Sequence, residues 1–465
     1  MKKVQKFILP ENSNLIETLH QSFSVIQDEA CTATQTFYDT FDWRLYSKGL
    51  LCIRDNNVLQ LVSLTDEKVL RQTTITSRNP VEFWWDIKES AFQQKLKDSI
   101  DVRALLPVAL INIKTEKYHV LNKNDTPAFY FHIEQIAVVS ADKTLPLPKS
   151  LKILPPRENT KIAKTFIQYL SKNNAPADSH YKNILTDILH AINKQPLDYS
   201  SKIRTQLTPA MPAQQAVKCI LTDLFTVMKR NVDGIIADID SEFLHDFRVA
   251  GRRTRAALSQ LNTVFPQEKV RIFKQLFSGL GKLTNNIRDF DVFLLHKVYY
   301  RTMLPPHLQK GLSPFFTDLA RTRKTELKKL VEWCNSDLEK IIFKPWHLFL
   351  NLESEYDETT IHANTPVINL AKESIMNRYK KIIKNGSKIT DSTPDAKLHN
   401  LRIECKKLRY LMEFFCSLFP ATDAMFLIKQ LKKLQDIWEY LTICQYNKRC
   451  WNAILMSLIQ IGKLR

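Results

Sequence analysis

The strongest constraint on the fold is a motif that the chain carries twice. "LHDFRVAGRRTR" (residues 244–255) and "LHNLRIECKKLR" (398–409) match position for position. Leu244 corresponds to Leu398, His245 to His399, Arg248 to Arg402, Arg252 to Lys406, Arg253 to Lys407 and Arg255 to Arg409. The offset, 154 positions (399 − 245), persists to the ends of the two stretches, where Phe265-Pro266 corresponds to Phe419-Pro420. Two copies of one helical unit follow. Upstream of the second copy, Thr393 is expected to cap the helix, with Pro394 at its first turn.

Periodicity separates two faces on each helix. Leu244, Phe247, Gly251, Thr254, Leu258, Leu261 and Phe265 recur in steps of three and four, as do Leu398, Leu401, Cys405, Leu408, Met412, Phe415 and Phe419. That spacing predicts a core-facing seam. His245, Arg248, Arg252 and Arg255 follow the same steps one residue later, about 100° round the helix. His399, Arg402, Lys406 and Arg409 repeat them, so each helix carries a cationic stripe beside its seam.

A solvated basic face is the plain reading of one such stripe. Against it, like charges three and four residues apart cost helix stability, and no acidic residue occurs from Phe247 to Gln267. The net charge of +19 is also uneven. Residues 1–200 hold 25 Lys/Arg against 22 Asp/Glu, and residues 201–465 hold 42 against 26. The basic C-terminal part favours a polyanion as partner: nucleic acid, an acidic membrane surface or polymeric phosphate.

The duplicated H-x-x-R-x-x-x-[RK]-[RK]-x-R motif, each copy followed by an apolar stretch and Phe-Pro, resembles the CHAD domain (conserved histidine α-helical domain) over roughly 210–465. "LGKLTNNIRDFDVFLL" is similar to the family's second helix of the first half, and "LKKLQDIWEYL" to its counterpart in the second. The resemblance implies two four-helix bundles related by a pseudo-twofold axis, with the basic helices lining a groove that binds inorganic polyphosphate. Its implied ligands are His245, Arg248, Arg252, Arg253, Arg255, His399, Arg402, Lys406, Lys407 and Arg409, with Lys282, Arg288, Arg378, Lys381, Lys429, Lys432 and Lys433 in reach. Guanidinium forks suit phosphate oxygens because they bind them in pairs. Arg253, about 80° off the stripe, fits least well. The second copy departs from the family at Glu439, Thr442 and Ile443. The two histidines are open to three readings: a donor to phosphate, a structural bond to a backbone carbonyl, or, last, a metal ligand, which several neighbouring cations disfavour.

Residues 1–140 differ in texture. Runs rich in β-branched and aromatic residues, such as "QTFYDTF", "NVLQLVSL", "RQTTITS" and "FYFHIEQIAVV", read as strands. The stretch over about 95–115 reads as helix, and further helices are expected near 161–172 and 180–193. "FYDTFDWRLYSKGLLCIR" (37–54) resembles the CYTH family of triphosphate tunnel enzymes, as does "FYFHIEQIAV" with Glu134. That resemblance implies an antiparallel β-barrel. The family's E-x-E-x-K strand falls here on "KKVQKF", so its glutamate positions are Lys2 and Val4, and its later lysine falls on Val62. Without paired carboxylates Mg²⁺ is not held against substrate phosphates. Lys6, Arg44, Arg54 and Glu134 remain as a residual tunnel set, and no triphosphatase activity of the usual kind is expected.

The fold expected is therefore α+β: a CYTH-like antiparallel β-barrel over 1–165, a helical connector and linker over 166–209, and an all-α CHAD-like domain over 210–465 with repeats at about 213–340 and 366–465. The eight cysteines show no C-x-x-C pair, which argues against a zinc site or disulfide framework. No apolar run is long enough for a signal peptide or a membrane span, and a cytoplasmic location, with association to polyphosphate granules, is the expectation. No cofactor is expected, Mg²⁺ or Mn²⁺ being needed only by an active N-terminal domain. Two alternatives stay open: a triphosphate or polyphosphate phosphohydrolase with replacement metal ligands, and nonspecific nucleic-acid binding. The basic stripes lack the interleaved aromatics of single-strand binders.

Overall fold

The computed structural model of the chain describes all residues except 1–4, 11–13, 67, 76–82, 141–142, 156–160, 174, 177–180, 353–356, 391–392 and 437–465. Lys2, Val4, Glu439, Thr442 and Ile443, singled out above, lie outside the described residues. The chain divides into two compact units, Met1–Ser200 and Ser201–Arg465.

The first unit is built on strands β1 (Gln5–Ile8), β2 (Val25–Gln27), β3 (Cys31–Asp39), β4 (Leu50–Asp55), β5 (Val58–Ser63), β6 (Val69–Thr74), β7 (Leu106–Leu121), β8 (Pro127–Val139), β9 (Thr144–Pro146), β10 (Ser150–Ile153) and β11 (Ala175–Pro176). They form one antiparallel sheet in the order β11-β1-β10-β8-β7-β3-β4-β5-β6, with β2 on β7 and β9 on β8. Helices α1 (Leu15–His20), α2 (Arg44–Ser47), α3 (Ser90–Ile100), α4 (Lys161–Asn173) and α5 (Tyr181–Ala191) accompany it. The stretch expected as helix over 95–115 splits in two. Asp101 takes a positive φ of 55° and ends α3, and the β-branched Val108, Ile111 and Ile113 then extend as part of β7, where they fit a pleated surface better than a helix. Within the stretch expected as connector and linker (166–209), helices pack on the sheet. Phe166 and Leu170 of α4 fill one core of the sheet, while Leu185, Ile188 and Leu189 of α5 fill another.

The second unit is helical: α6 (Ala213–Ile236), α7 (Ser241–Gln260), α8 (Gln267–Leu283), α9 (Asn285–Leu295), α10 (Lys297–Thr302), α11 (Pro306–Gln309), α12 (Leu312–Trp333), a π-helical segment (Cys334–Phe343), α13 (Lys344–Asn351), α14 (Val367–Gly386) and α15 (Asp395–Phe414). A further helix is described over 421–436. The starts of α6, α7 and α8 recur 154 positions on at α14, α15 and residue 421. The two copies also meet as a twofold axis requires, each residue answering its counterpart. Pro212 and Pro366 form an antiparallel bridge. Ala213 N–H donates to the Thr365 carbonyl and Val367 N–H to the Met211 carbonyl, both at 2.9 Å.

Packing follows the sequence seam. Leu244, Phe247, Thr254, Leu258, Leu261 and Phe265 are each 3% exposed or less, and Leu401, Cys405, Leu408, Met412 and Phe415 are buried in the second copy. The α7 start is fixed by Asp240, whose carboxylate accepts from the Glu242 and Phe243 amides at 2.9 and 3.3 Å. The α15 start differs from expectation. Pro394 occupies the cap position, and the Thr393 hydroxyl instead accepts from the Thr390 amide at 2.8 Å. Among the described residues no helix is long and apolar enough to cross a membrane.

Candidate anion-binding site

The cationic stripe of α7 opens onto a cleft of about 330 Å³ between α7 and the α8–α9 junction, lined by Arg248, Arg252, Arg255, Lys282, Gly281 and Asn285 among others, with no carboxylate in its lining. Arg248 forms the floor. Its guanidinium donates to the Gly281 carbonyl at 3.1 Å, to the Asn285 amide oxygen at 2.8 Å and to the Thr284 hydroxyl. All three acceptors are neutral, so the geometry is fixed without a carboxylate bonded to the guanidinium. Burial, reinforced by Arg252 and opposed by Asp289, pushes Arg248 down to about 10, which leaves it cationic at neutral pH. Arg252 and Arg255 are exposed. Arg255 reaches back over α8, and a Cβ built on Gly281 would stand 3.1 Å from its Nη1.

The stripes of α7 and α15 approach each other at Tyr410, which is 4% exposed. Arg252 Nε donates to its hydroxyl at 3.2 Å, and the Arg409 guanidinium lies 4.9 Å from its ring centre, a cation–π arrangement. Sequence reasoning missed Tyr410; the only signal was a large aromatic where the first copy has Ala256.

Other predicted ligands are placed elsewhere. Arg253 faces the Ser201 carbonyl at 2.8 Å and Glu413 at 2.9 Å. Its counterpart Lys407 pairs with Glu404 at 3.0 Å. Both are off the stripe, as their helical angle dictates. Glu404 also binds Arg378 and, at 3.4 Å, Lys381. Burial alone would raise the Glu404 carboxyl, yet the hydrogen bonds from Lys407 and Arg378 hold it below the usual range. Arg378 and Lys381 line a separate cleft of about 320 Å³ with Glu373 and His362. Arg288 lies 3.6 Å from Glu242. Arg409 is held by Glu413 and by the Gln435 side-chain carbonyl at 2.9 Å. Lys429, Lys432 and Lys433 are exposed on the helix over 421–436, Arg402 and Lys406 are half-buried, and His245 is half-buried whereas His399 is exposed.

In the first unit the residual tunnel set gathers only in part: Lys6 and Glu134 adjoin, and Arg44 and Arg54 do not join them. Lys6 pairs in register with Lys152, Lys152 with His132, and His132 with Lys117, so these four share one sheet face. Arg54 pairs with Thr36 and Thr36 with Leu110. Leu110 and Lys117 lie seven residues apart on β7, and an odd spacing puts Arg54 on the opposite face. Arg44 is spent on Asp42 at 2.9 Å and on the Ile100 carbonyl at 2.8 Å. Glu134 stands 4.0 Å from Lys6 and 3.9 Å from Lys152, a single carboxylate between two ammonium groups. Those residues do not fit a divalent cation, which needs several oxygens and no adjacent positive charge. Burial lowers the His132 pKa, reinforced by Lys152 and Lys117 against Glu134. Val62, where the resemblance would have a lysine, is 0% exposed. Among the described residues no group of three His, Cys, Asp or Glu could hold a metal ion.

Sequence comparison bears on the helical unit. The family model of the CHAD domain matches residues 219–442. This segment is a CHAD domain. Similar solved structures include the CHAD domain from the plant Ricinus communis, with 21% identity, 51% of this chain and 77% of that chain covered, and a TM-score of 0.43. PptA from Streptomyces chartreusis shows 12% identity over 49% and 84% of the two chains, with a TM-score of 0.35. A putative adenylyl cyclase from Hippeastrum, described as having a dominant triphosphatase activity, shows 14% identity over 42% and 99%, with a TM-score of 0.27. A comparison with curated proteins finds no significant match.

Proposed function

We propose that the CHAD domain of this chain binds inorganic polyphosphate, and that Arg248, Arg252, Arg255 and Lys282 carry the contact. One observation supports the reading above the others: four cations converge on a cleft whose lining includes no carboxylate. Leaving like charges together costs the fold energy, and a ligand of dense negative charge repays it. A phosphate chain offers about one charge and two or more free oxygens per unit, which guanidinium forks bind in pairs. Each charge-assisted hydrogen bond contributes about 1.5–3 kcal/mol, so a few suffice for tight binding.

Tyr410 adjoins the cleft but is buried, and its hydroxyl is engaged by Arg252. No exposed aromatic ledge lines the cleft for base stacking, which favours a phosphate polymer over single-stranded nucleic acid. Competition decides it: unlabelled polyphosphate is expected to displace labelled RNA at far lower concentration than RNA displaces labelled polyphosphate. The reverse order would overturn the reading. In the first unit, the lone carboxylate between Lys6 and Lys152 supports a scaffold role rather than metal-assisted hydrolysis; phosphate release from tripolyphosphate with Mg²⁺ or Mn²⁺ is expected to stay at background.

A further inference from the structure

The two copies differ at the positions that decide whether a cation is available. At four positions an uncharged or basic residue of the first copy gives way, 154 residues on, to a carboxylate or an amide. Ala250 becomes Glu404, Ser259 becomes Glu413, Gly281 becomes Gln435 and Lys282 becomes Asp436. The consequences are visible in the contacts. Arg255 lies against bare Gly281, whereas its counterpart Arg409 is clasped by Gln435 and Glu413. Glu404 gathers Arg378, Lys381 and Lys407. Arg248, by contrast, donates its hydrogen bonds to neutral oxygens, with Asp289 acting on it only through its charge.

We propose that the pseudo-symmetric domain binds its anion asymmetrically: the first-copy cleft is the phosphate-gripping site, and the second copy's own carboxylates and Gln435 stand where ligand oxygens would otherwise lie. A carboxylate bridging two guanidinium groups, as Glu413 bridges Arg253 and Arg409, presents an oxygen pair and about one negative charge, much as a phosphoryl unit of the chain would. A phosphate chain extending toward α15 must displace Glu413 or be repelled by it. The chemistry selected is thus a short run of phosphoryl groups, supplied either by free oligophosphate or by part of a longer polymer. The inference rests on the proposed polyphosphate binding and adds which residues set its extent.

Fluorescence anisotropy with labelled long-chain polyphosphate tests it on the full chain, with unlabelled tripolyphosphate and long-chain polyphosphate as competitors. Arg255→Ala is expected to weaken binding at least tenfold and Arg409→Ala less than twofold. Gly281→Gln, which gives the first copy the clasp of the second and removes no charge, is expected to weaken binding several-fold with circular dichroism unchanged. Tripolyphosphate is expected to compete within about tenfold of the long chain at equal phosphate. Equal losses for Arg255→Ala and Arg409→Ala, or unchanged affinity for Gly281→Gln, overturn the asymmetry while leaving polyphosphate binding intact. Competition by the long chain alone shows that the gripped segment is longer than the cleft, and also overturns it. No binding by the wild type defeats the underlying reading instead.

Discussion

Arg255 lies over Gly281 so closely that a methyl group there would stand 3.1 Å from its guanidinium nitrogen. The glycine sits within helix α8, where it costs helix stability, and its absence of a side chain is what lets Arg255 rest across the helix at the cleft edge. Gly281→Ala is therefore expected to act in two directions. Removing the entropy cost of a helical glycine stabilises the domain by about 0.5–1 kcal/mol, while displacement of Arg255 weakens polyphosphate binding. Thermal denaturation and a binding titration on the same preparation check both signs.

A closer approach occurs at the α6–α7 turn. A Cβ on Gly234 would fall 2.1 Å from the Phe243 ring, in a core where Phe243 is 2% exposed. Gly234→Ala forces the two helices apart and is expected to destabilise the helical unit by about 1–3 kcal/mol, read as a lower melting temperature. An unchanged melting temperature would show that the pair can relax at no cost.

Arg253 joins the two copies rather than facing the ligand. With Glu413 at 2.9 Å and the Ser201 carbonyl at 2.8 Å, its removal leaves two acceptors short of a donor. Arg253→Ala is expected to cost about 1.5–3 kcal/mol in chemical denaturation. Its polyphosphate affinity is expected to stay within about twofold of wild type, which separates it from Arg255.

The Tyr-Asp-Thr of the first unit has a structural use. Asp39 is 1% exposed and accepts from the amides of Thr40, Leu45 and Tyr46 at 2.7–2.9 Å. Burial outweighs those bonds and pushes its pKa from 3.8 up to about 6. A carboxyl with a raised folded pKa binds its proton more tightly in the fold. Its contribution is therefore most favourable below about pH 4 and declines as pH rises to about 6. Compared with Asp39→Asn, whose side chain does not titrate, the wild type is expected to lose relative stability across that interval and remain level above it. Denaturation at pH 4, 5, 6 and 7 measures the difference; a flat difference would contradict it.

Much of the helical unit was legible because the seam and stripe obey the helical period and recur at one offset. The buried residues Leu244 to Phe265 and the helix starts are direct consequences of that pattern. Charge neutralisation was legible only within one helix. Glu404–Lys407 and Glu413–Arg409 are three- and four-residue pairs along α15. But Glu404 meets Arg378 and Lys381, and Glu413 meets Arg253, only through the packing of α14 and α7 against α15, and nothing in the local sequence specifies such tertiary partners. Gln435 was overlooked because an uncharged residue gives no electrostatic signal. In the first unit, single strands were readable, but the face on which each side chain falls depends on register counted through β7 and β3. That count separates Arg54 from Lys6.

The central claim is that the cleft of the first copy holds polyphosphate by charge. Its most direct test is the salt dependence of polyphosphate affinity for the wild type and for Arg252→Glu/Arg255→Glu, with circular dichroism confirming the helical fold. The account predicts steep loss of affinity with salt for the wild type, as counterion release from a polyanion requires. For the double variant it predicts at least a hundredfold weaker binding, with a shallower slope. A folded double variant that binds with the wild-type affinity and slope would contradict it.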